Sequence, residues 1–194
     1  LGILSMVALL SFTYNMMRLA RNELTQELDN RLRLAAQKTD EMIGIVQKQT
    51  GSALVFTGTA QKSVLYFLGT ILQIARLDNI YIVDRHSKPL ADPRFHVFPT
   101  DWKPPFEIAA DSRRHVLHGR AVTAEAVKIG SYSYRAIAYP LTLNGTVEGI
   151  IYAQASMDFE PRLRYLQMRW KQAGLFALAT SLTLLSAAGW TFVR

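Results

Sequence analysis

Apolar and polar positions along the chain follow four rhythms, and each predicts an element. Residues 1–17 (LGILSMVALLSFTYNMM) and 172–193 (QAGLFALATSLTLLSAAGWTFV) carry no charged side chain. A bilayer crossing takes about 20 mostly apolar residues, so transmembrane helices are expected over 1–18 and 170–194, the first a little short. From Leu19 to about Gln49 the pattern changes: Leu28, Leu32, Ala35, Thr39, Met42 and Val46 recur at alternating spacings of four and three. That heptad-like stripe predicts a long helix over 19–50, about 45 Å in length, with a seam suited to a second helix. An amphipathic core helix produces the same stripe, so the pattern alone leaves both readings open.

Glycines at Gly51 and Gly58 bracket a break. Val64, Leu65, Leu68, Ile71, Leu72 and Ala75 then restore helical spacing, predicting a second helix over 60–77. From residue 79 to 157 the period drops to two. Asn79–Asp84 (NIYIVD) is a strand, and a polar turn joins it to Pro89–Asp92 in a hairpin. A loop rich in proline and aromatics follows, then a short helix over Phe106–Arg113 with Pro105 in its first turn, and a strand at His115–His118. Ala121–Ile129 reads as a β-like crossing. Tyr132–Leu143 and Thr146–Ser156 form the clearest pair, because Asn144-Gly145 between β-rich runs suits a turn whose central residues both need positive φ.

Charge sharpens the division. All 15 Asp+Glu, and every one of the 22 Lys+Arg except Arg194, lie between residues 18 and 171. The excess of positive charge is scattered, with no run of five basic residues, which argues against nucleic-acid binding. The chain has no cysteine, so neither a disulfide scaffold nor a Cys-based zinc site is available. It opens on Leu1, read here as a start inside a longer protein. A cleaved signal peptide is the alternative for residues 1–17, but no basic n-region or A-x-A-like cleavage site is visible. Arg18, Arg21, Arg162, Arg164, Arg169 and Lys171 crowd the inner edges of the two apolar segments, which by charge bias favours a cytoplasmic domain. That rule is weak for long translocated segments, so the type of domain decides the topology.

Ile80-Tyr81-Ile82-Val83-Asp84 with Pro89-Leu90-Ala91-Asp92-Pro93, and Ala136–Leu141 with Gly149–Ala155, resemble the strand pairs of extracytoplasmic single-Cache (PDC-type, PAS-like) sensor domains of bacterial transmembrane receptors. The resemblance covers about residues 20–160, with His86-Ser87 standing where the family's first turn usually has glycine. It implies an α+β fold: a PAS-like antiparallel sheet packed on a long N-terminal helix and flanked by two transmembrane helices. It also implies a periplasmic or extracellular sensor domain (19–165) in a bacterial inner-membrane protein, and a small-molecule pocket over the free face of the sheet. By position, Tyr81, Arg94, His96, Trp102, His118, Arg120, Tyr134 and Tyr139 are the pocket candidates. Cationic and hydrogen-bonding groups around an aromatic cleft suit a carboxylate. The plain alternative is that each tyrosine is a core aromatic and each arginine solvated.

No catalytic constellation is present. His86, His96, His115 and His118 match neither H-E-x-x-H nor H-x-x-E-H, and there is no G-x-S-x-G or phosphate-binding glycine loop. No cofactor or metal is expected. The leading expectation is the input module of a dimeric receptor, paired through Leu28, Leu32, Ala35, Thr39, Met42, Val46 and the transmembrane helices. Ala173, Ala177 and Ser181 offer a small-residue stripe between the second spans. The effector expected beyond Arg194 is a histidine kinase, with a nucleotide cyclase or chemoreceptor module next. A bitopic scaffold whose outer domain binds another protein is the alternative; a membrane enzyme would need polar groups that the sequence does not supply.

Overall fold

The computed structural model describes residues 2–50, 58–106, 108–129, 132–157 and, within 163–183, the stretches 163–169, 171–173, 175–176, 179–180 and 182–183. The chain forms two compact units, Leu1–Gln26 with Asp158–Arg194, and Glu27–Met157. In the first, the described residues are helical, and Thr180 and Thr183 each turn a hydroxyl onto a backbone carbonyl four residues back. Among the described residues, no helix is long and apolar enough to cross a membrane. Much of the expected second span lies outside the described residues, as do Trp170, Ala177, Ser181 and Trp190.

The second unit is α+β. Helix α1 (Gly2–Thr50) enters it at Glu27, and α2 (Gly58–Ile74) follows. Then come β1 (Asn79–Asp84), β2 (Pro89–Ala91), α3 (Ala110–Leu117), β3 (Val122–Ile129), β4 (Tyr132–Leu143) and β5 (Thr146–Ser156). The five strands make one antiparallel sheet in the order β2-β1-β5-β4-β3. Asn144 and Gly145 turn the β4–β5 hairpin at φ of 52° and 80°, as a two-residue turn with right-handed strand twist requires. In the β1–β2 hairpin it is Ser87, at φ 66°, that takes the left-handed position. The Asp84 carboxylate stabilises this turn by accepting the backbone N–H groups of His86 and Lys88, at 2.7 and 2.8 Å.

Strand alternation gives the sheet two unlike faces. Ile80 and Ile82 of β1, Ile137 and Leu141 of β4, and Ile151 and Ala153 of β5 point one way, all buried. Arg135 shares that side and reaches α1, where Nε and Nη2 donate to the two carboxylate oxygens of Asp29 at 2.6 and 2.7 Å. Further along, Asp40 accepts the N–H of Thr142 at 2.7 Å. Helix α1 therefore lies along β4, running in the same direction. Its buried line is Leu28, Leu32, Ala35, Ala36, Thr39 and Ile43, with the Thr39 hydroxyl donating to Ala35 O.

This corrects the expected dimer seam. Leu28, Leu32, Ala35 and Thr39 are covered by the chain's own sheet, while Met42 and Val46 are half-buried. A helix on a sheet and a helix on a helix demand the same apolar stripe, so spacing could not tell them apart. A second correction concerns residues 115–118. They close α3 instead of forming a strand; His118 is its C-cap and Gly119, at φ 83°, ends it. The helix starts at Ala110, places Asp111 in its first turn and ties Arg114 back to Asp111 at 2.7 Å.

Candidate functional site: a cationic aromatic cleft on the sheet's second face

Tyr81 and Val83 of β1, Ile150 and Tyr152 of β5, and Ala136 and Ala138 of β4 point away from α1. Val116 of α3 and Phe106 from the preceding loop complete a buried cluster over them. The small alanines of β4 give α3 room to approach. The large rings of β1 and β5 hold the loop off the sheet instead. Tyr81 stacks on its cross-strand neighbour Tyr152 with centroids 4.9 Å apart, and Phe106 meets both rings edge-on at 5.7 and 5.5 Å. The Tyr81 hydroxyl donates to the Phe106 carbonyl oxygen at 2.6 Å, which pins the loop to the strand.

Beside this cluster lies a cleft of about 320 Å³, the lower end of the size range for small-molecule sites. The rings of Tyr81, Trp102, Phe106 and Tyr152 form its apolar wall, with Val83 and Ile108. Its other side is the β1–β2 turn, through Ser87, Lys88 and Pro89, and Arg113 of α3. Arg113 Nη2 donates to Arg85 O at 2.6 Å, so α3 is fastened to that turn. Its Nε is buried without a hydrogen-bond partner, and so is Nε1 of Trp102. A buried donor left unpaired costs about 1–3 kcal/mol, and two on one cleft point to a ligand acceptor. Lys88 and Arg113 make the rim positive.

The eight residues singled out from the sequence are not gathered in one place. Tyr81 and Trp102 meet in the cleft, with ring centroids 5.8 Å apart. Tyr134 shares their face of the sheet, but Tyr139 points to the α1 side with Ile82 and Ile151. Arg94 is held by the fully buried Asp92 carboxylate, Nε to Oδ1 at 2.9 Å and Nη2 to Oδ2 at 2.5 Å. Those bonds to Asp92 raise the pKa of the Arg94 guanidinium further above its already high value. His96 is exposed, and its carbonyl accepts from Gln61 Nε2 at 3.0 Å. His118 and Arg120 are exposed at the end of α3, with His118 Nδ1 2.7 Å from Arg114 O.

Sequence reasoning missed Lys88, Phe106, Arg113 and Tyr152. Two of these were legible. Tyr152 lies opposite Tyr81 once the two strands are paired, and Arg113, Val116 and Leu117 recur at three and four residues, the signature of one helix face. Among the described residues, no group of three or more His, Asp and Glu is arranged to hold a metal ion.

Solved structures share this fold. The ligand-binding domain of the Pseudomonas aeruginosa PAO1 amino acid chemoreceptor PctC, in complex with GABA, matches with a TM-score of 0.55 at 10% identity, over 79% of this chain and 63% of that one. Methyl-accepting chemotaxis protein X matches with a TM-score of 0.51 at 11% identity, over 78% of this chain and 64% of that one. The chain thus spans somewhat under two thirds of each. No protein-family model matches the chain, and no curated protein does. At these identities the likeness is one of fold. The Glu27–Met157 unit shares with them its fold, a five-stranded antiparallel sheet with a long helix on one face.

Proposed function

We propose that this chain is the ligand-sensing input module of a bacterial transmembrane receptor, with its α+β unit outside the cell membrane. The observation that carries this reading is the cleft beside Tyr81. A sheet face closed by α3 and a loop leaves a cavity whose wall is apolar, whose rim is cationic and whose donors at Trp102 and Arg113 lack partners. Such a site suits a small organic anion, with a carboxylate first. The charge-free segments 1–17 and 172–193 serve as lipid-embedded anchors, and the occupied cleft biases the packing of sheet on α1. The signal then passes to an effector of the chemoreceptor or histidine-kinase kind. Receptor subunits pair through a surface other than Leu28, Leu32, Ala35 and Thr39, which the sheet already covers. The scaffold alternative expects a filled core here, and the cleft speaks for the sensor.

The test is a thermal-shift screen of the full chain in detergent against a broad panel of small metabolites of either charge. Ligand at 100 times its Kd adds about 2.7 kcal/mol, which for a chain of this size raises Tm by roughly 5–10 °C. Trp102→Ala, which opens the aromatic wall, should abolish the shift. A panel in which no compound moves Tm would sink the sensor reading.

A further inference from the structure

The charges among the described lining of the cleft are of one sign. Lys88 and Arg113 are the charged residues among its described lining, and neither Asp nor Glu appears there. Three of the described acids nearby are already engaged, and Asp101, beside Trp102, is exposed. Asp84 is bonded to the amides of its own turn, Asp111 to Arg114, and Asp92 to Arg94. The unpartnered groups, Trp102 Nε1 and Arg113 Nε, are both donors and both shielded from water. The Tyr81 hydroxyl gives its proton to Phe106 O, so it adds no anionic or strongly accepting group.

The rings are no cage for a cation either. Tyr81 and Tyr152 take up one another's inner faces by stacking, and Phe106 lies edge-on to both. A cation would also meet two positive side chains at the rim. An ammonium entering this cleft would leave its water behind and meet the positive charges of Lys88 and Arg113, whereas a carboxylate would find two donors that have already lost theirs.

We propose that the cleft is selective for organic anions with an apolar body and no ammonium group, so that it takes a carboxylic acid and turns away the corresponding amino acid. This deepens the ligand-sensing reading above and rests on it. It sets this chain's ligand apart from the GABA bound in the PctC domain, which carries both charges. Discrimination arises here at the rim, where Lys88 and Arg113 attract the carboxylate and repel the zwitterion's second charge.

The experiment measures binding to the full chain in detergent at pH 7.5 by calorimetry, with matched pairs that differ only by the amine. The pairs are isovalerate and valine, 4-methylpentanoate and leucine, 3-phenylpropionate and phenylalanine, and butyrate and γ-aminobutyrate. At least one acid should bind, and its amine-bearing partner should bind about tenfold more weakly or worse. Arg113→Gln should weaken that acid about tenfold. Lys88→Gln, on an exposed turn and free of any part in the packed core, should weaken it too and covers the case in which Arg113→Gln disturbs α3. An amino acid that binds as tightly as its acid overturns the inference and leaves the sensor reading standing. Acid binding unchanged by both substitutions overturns it as well, since the anion would then sit elsewhere. If the pairs are silent while the broad metabolite screen finds another ligand, the inference alone fails; if the screen is silent too, the sensor reading fails with it.

Discussion

The two faces of the sheet are built from alternate residues of the same strands, yet they do different work. Toward α1 the fully buried side chains of the sheet are aliphatic, among them Ile80, Ile82, Ile137, Leu141 and Ile151. On that side Arg135 pairs with Asp29, Asp40 with Thr142 and Thr39 with Ala35, while Nε of Arg31 on α1 is buried without a hydrogen-bond partner. Toward α3 the rings of Tyr81 and Tyr152 stand among small and branched side chains (Ala136, Ala138, Val83, Ile150), the packing leaves a cleft, and three buried donors lack partners (Trp102 Nε1, Arg113 Nε and, one pleat beyond Tyr152, Gln154 Nε2). Branched aliphatic residues interlock and fix one arrangement. Rings of mismatched size meet at edges and leave space. On the proposed reading, a single sheet thereby separates stability from recognition, each on its own face.

Matched truncations of one isoleucine per face would expose the difference. Ile137→Ala opens a cavity where nothing can collapse, and should cost about 3 kcal/mol in urea unfolding. Ile108→Ala removes the same atoms from a half-buried wall of the cleft, and should cost about 1 kcal/mol. Equal losses would mean that both faces carry the fold alike, and the separation of roles would not stand.

The next effect is the tie between sheet and helix. Arg135 and Asp29 are each about a quarter exposed, with side-chain accessibilities of 22% and 28%, and their pairing is bidentate. That places the interaction between an exposed ion pair and a buried one. A double-mutant cycle with Arg135→Ala and Asp29→Ala should give a coupling of about 1–2 kcal/mol. A coupling near zero would show the helix held by apolar contact alone.

Much of this was legible from residue types. The Asn144-Gly145 turn, the bounds of β1, β4 and β5, and the α+β class followed from local chemistry that tertiary context did not override. The cleft was legible only in part. Tyr134 and Tyr139 are five residues apart on one strand, an odd number, so alternation alone puts them on opposite faces. That argument separates them without any structure. His118 was misplaced because a run of mixed residues, His115 to His118, has no period of its own; the helix there is set by Asp111, Arg114 and Gly119 on either side. Arg94 was unreadable for another reason: its partner Asp92 sits two residues away, and an Asp-x-Arg spacing says nothing about which turn lets them meet. The apolar stripe of α1 was read as a seam for a second helix, with a core helix as the alternative, because its partner, the sheet, comes from strands roughly 40 to 120 residues further on.

The smallest predicted effect also falls on the packed face. Asp40 is half-buried between α1 and β4, and burial pushes its carboxyl pKa above the ordinary 3.8. The Thr142 N–H bond opposes this, and the charge of Glu41 adds to it. Glu41 itself is fully exposed and held low by its hydrogen bond to Lys38. A carboxyl whose folded pKa exceeds its unfolded value binds its proton more tightly when folded. The fold therefore gains stability as pH drops through that raised value toward 3.8, and carries the cost of the charge above it. Asp40→Asn keeps an acceptor for Thr142 and removes the charge. It should stabilise the protein at pH 7 by about 0.5 kcal/mol or less, and the advantage should vanish near pH 4. Urea unfolding of both proteins at the two pH values decides the matter. A loss of stability in Asp40→Asn at pH 7 would mean that the Thr142 bond needs the full negative charge, and that Asp40 does not work against the packed face.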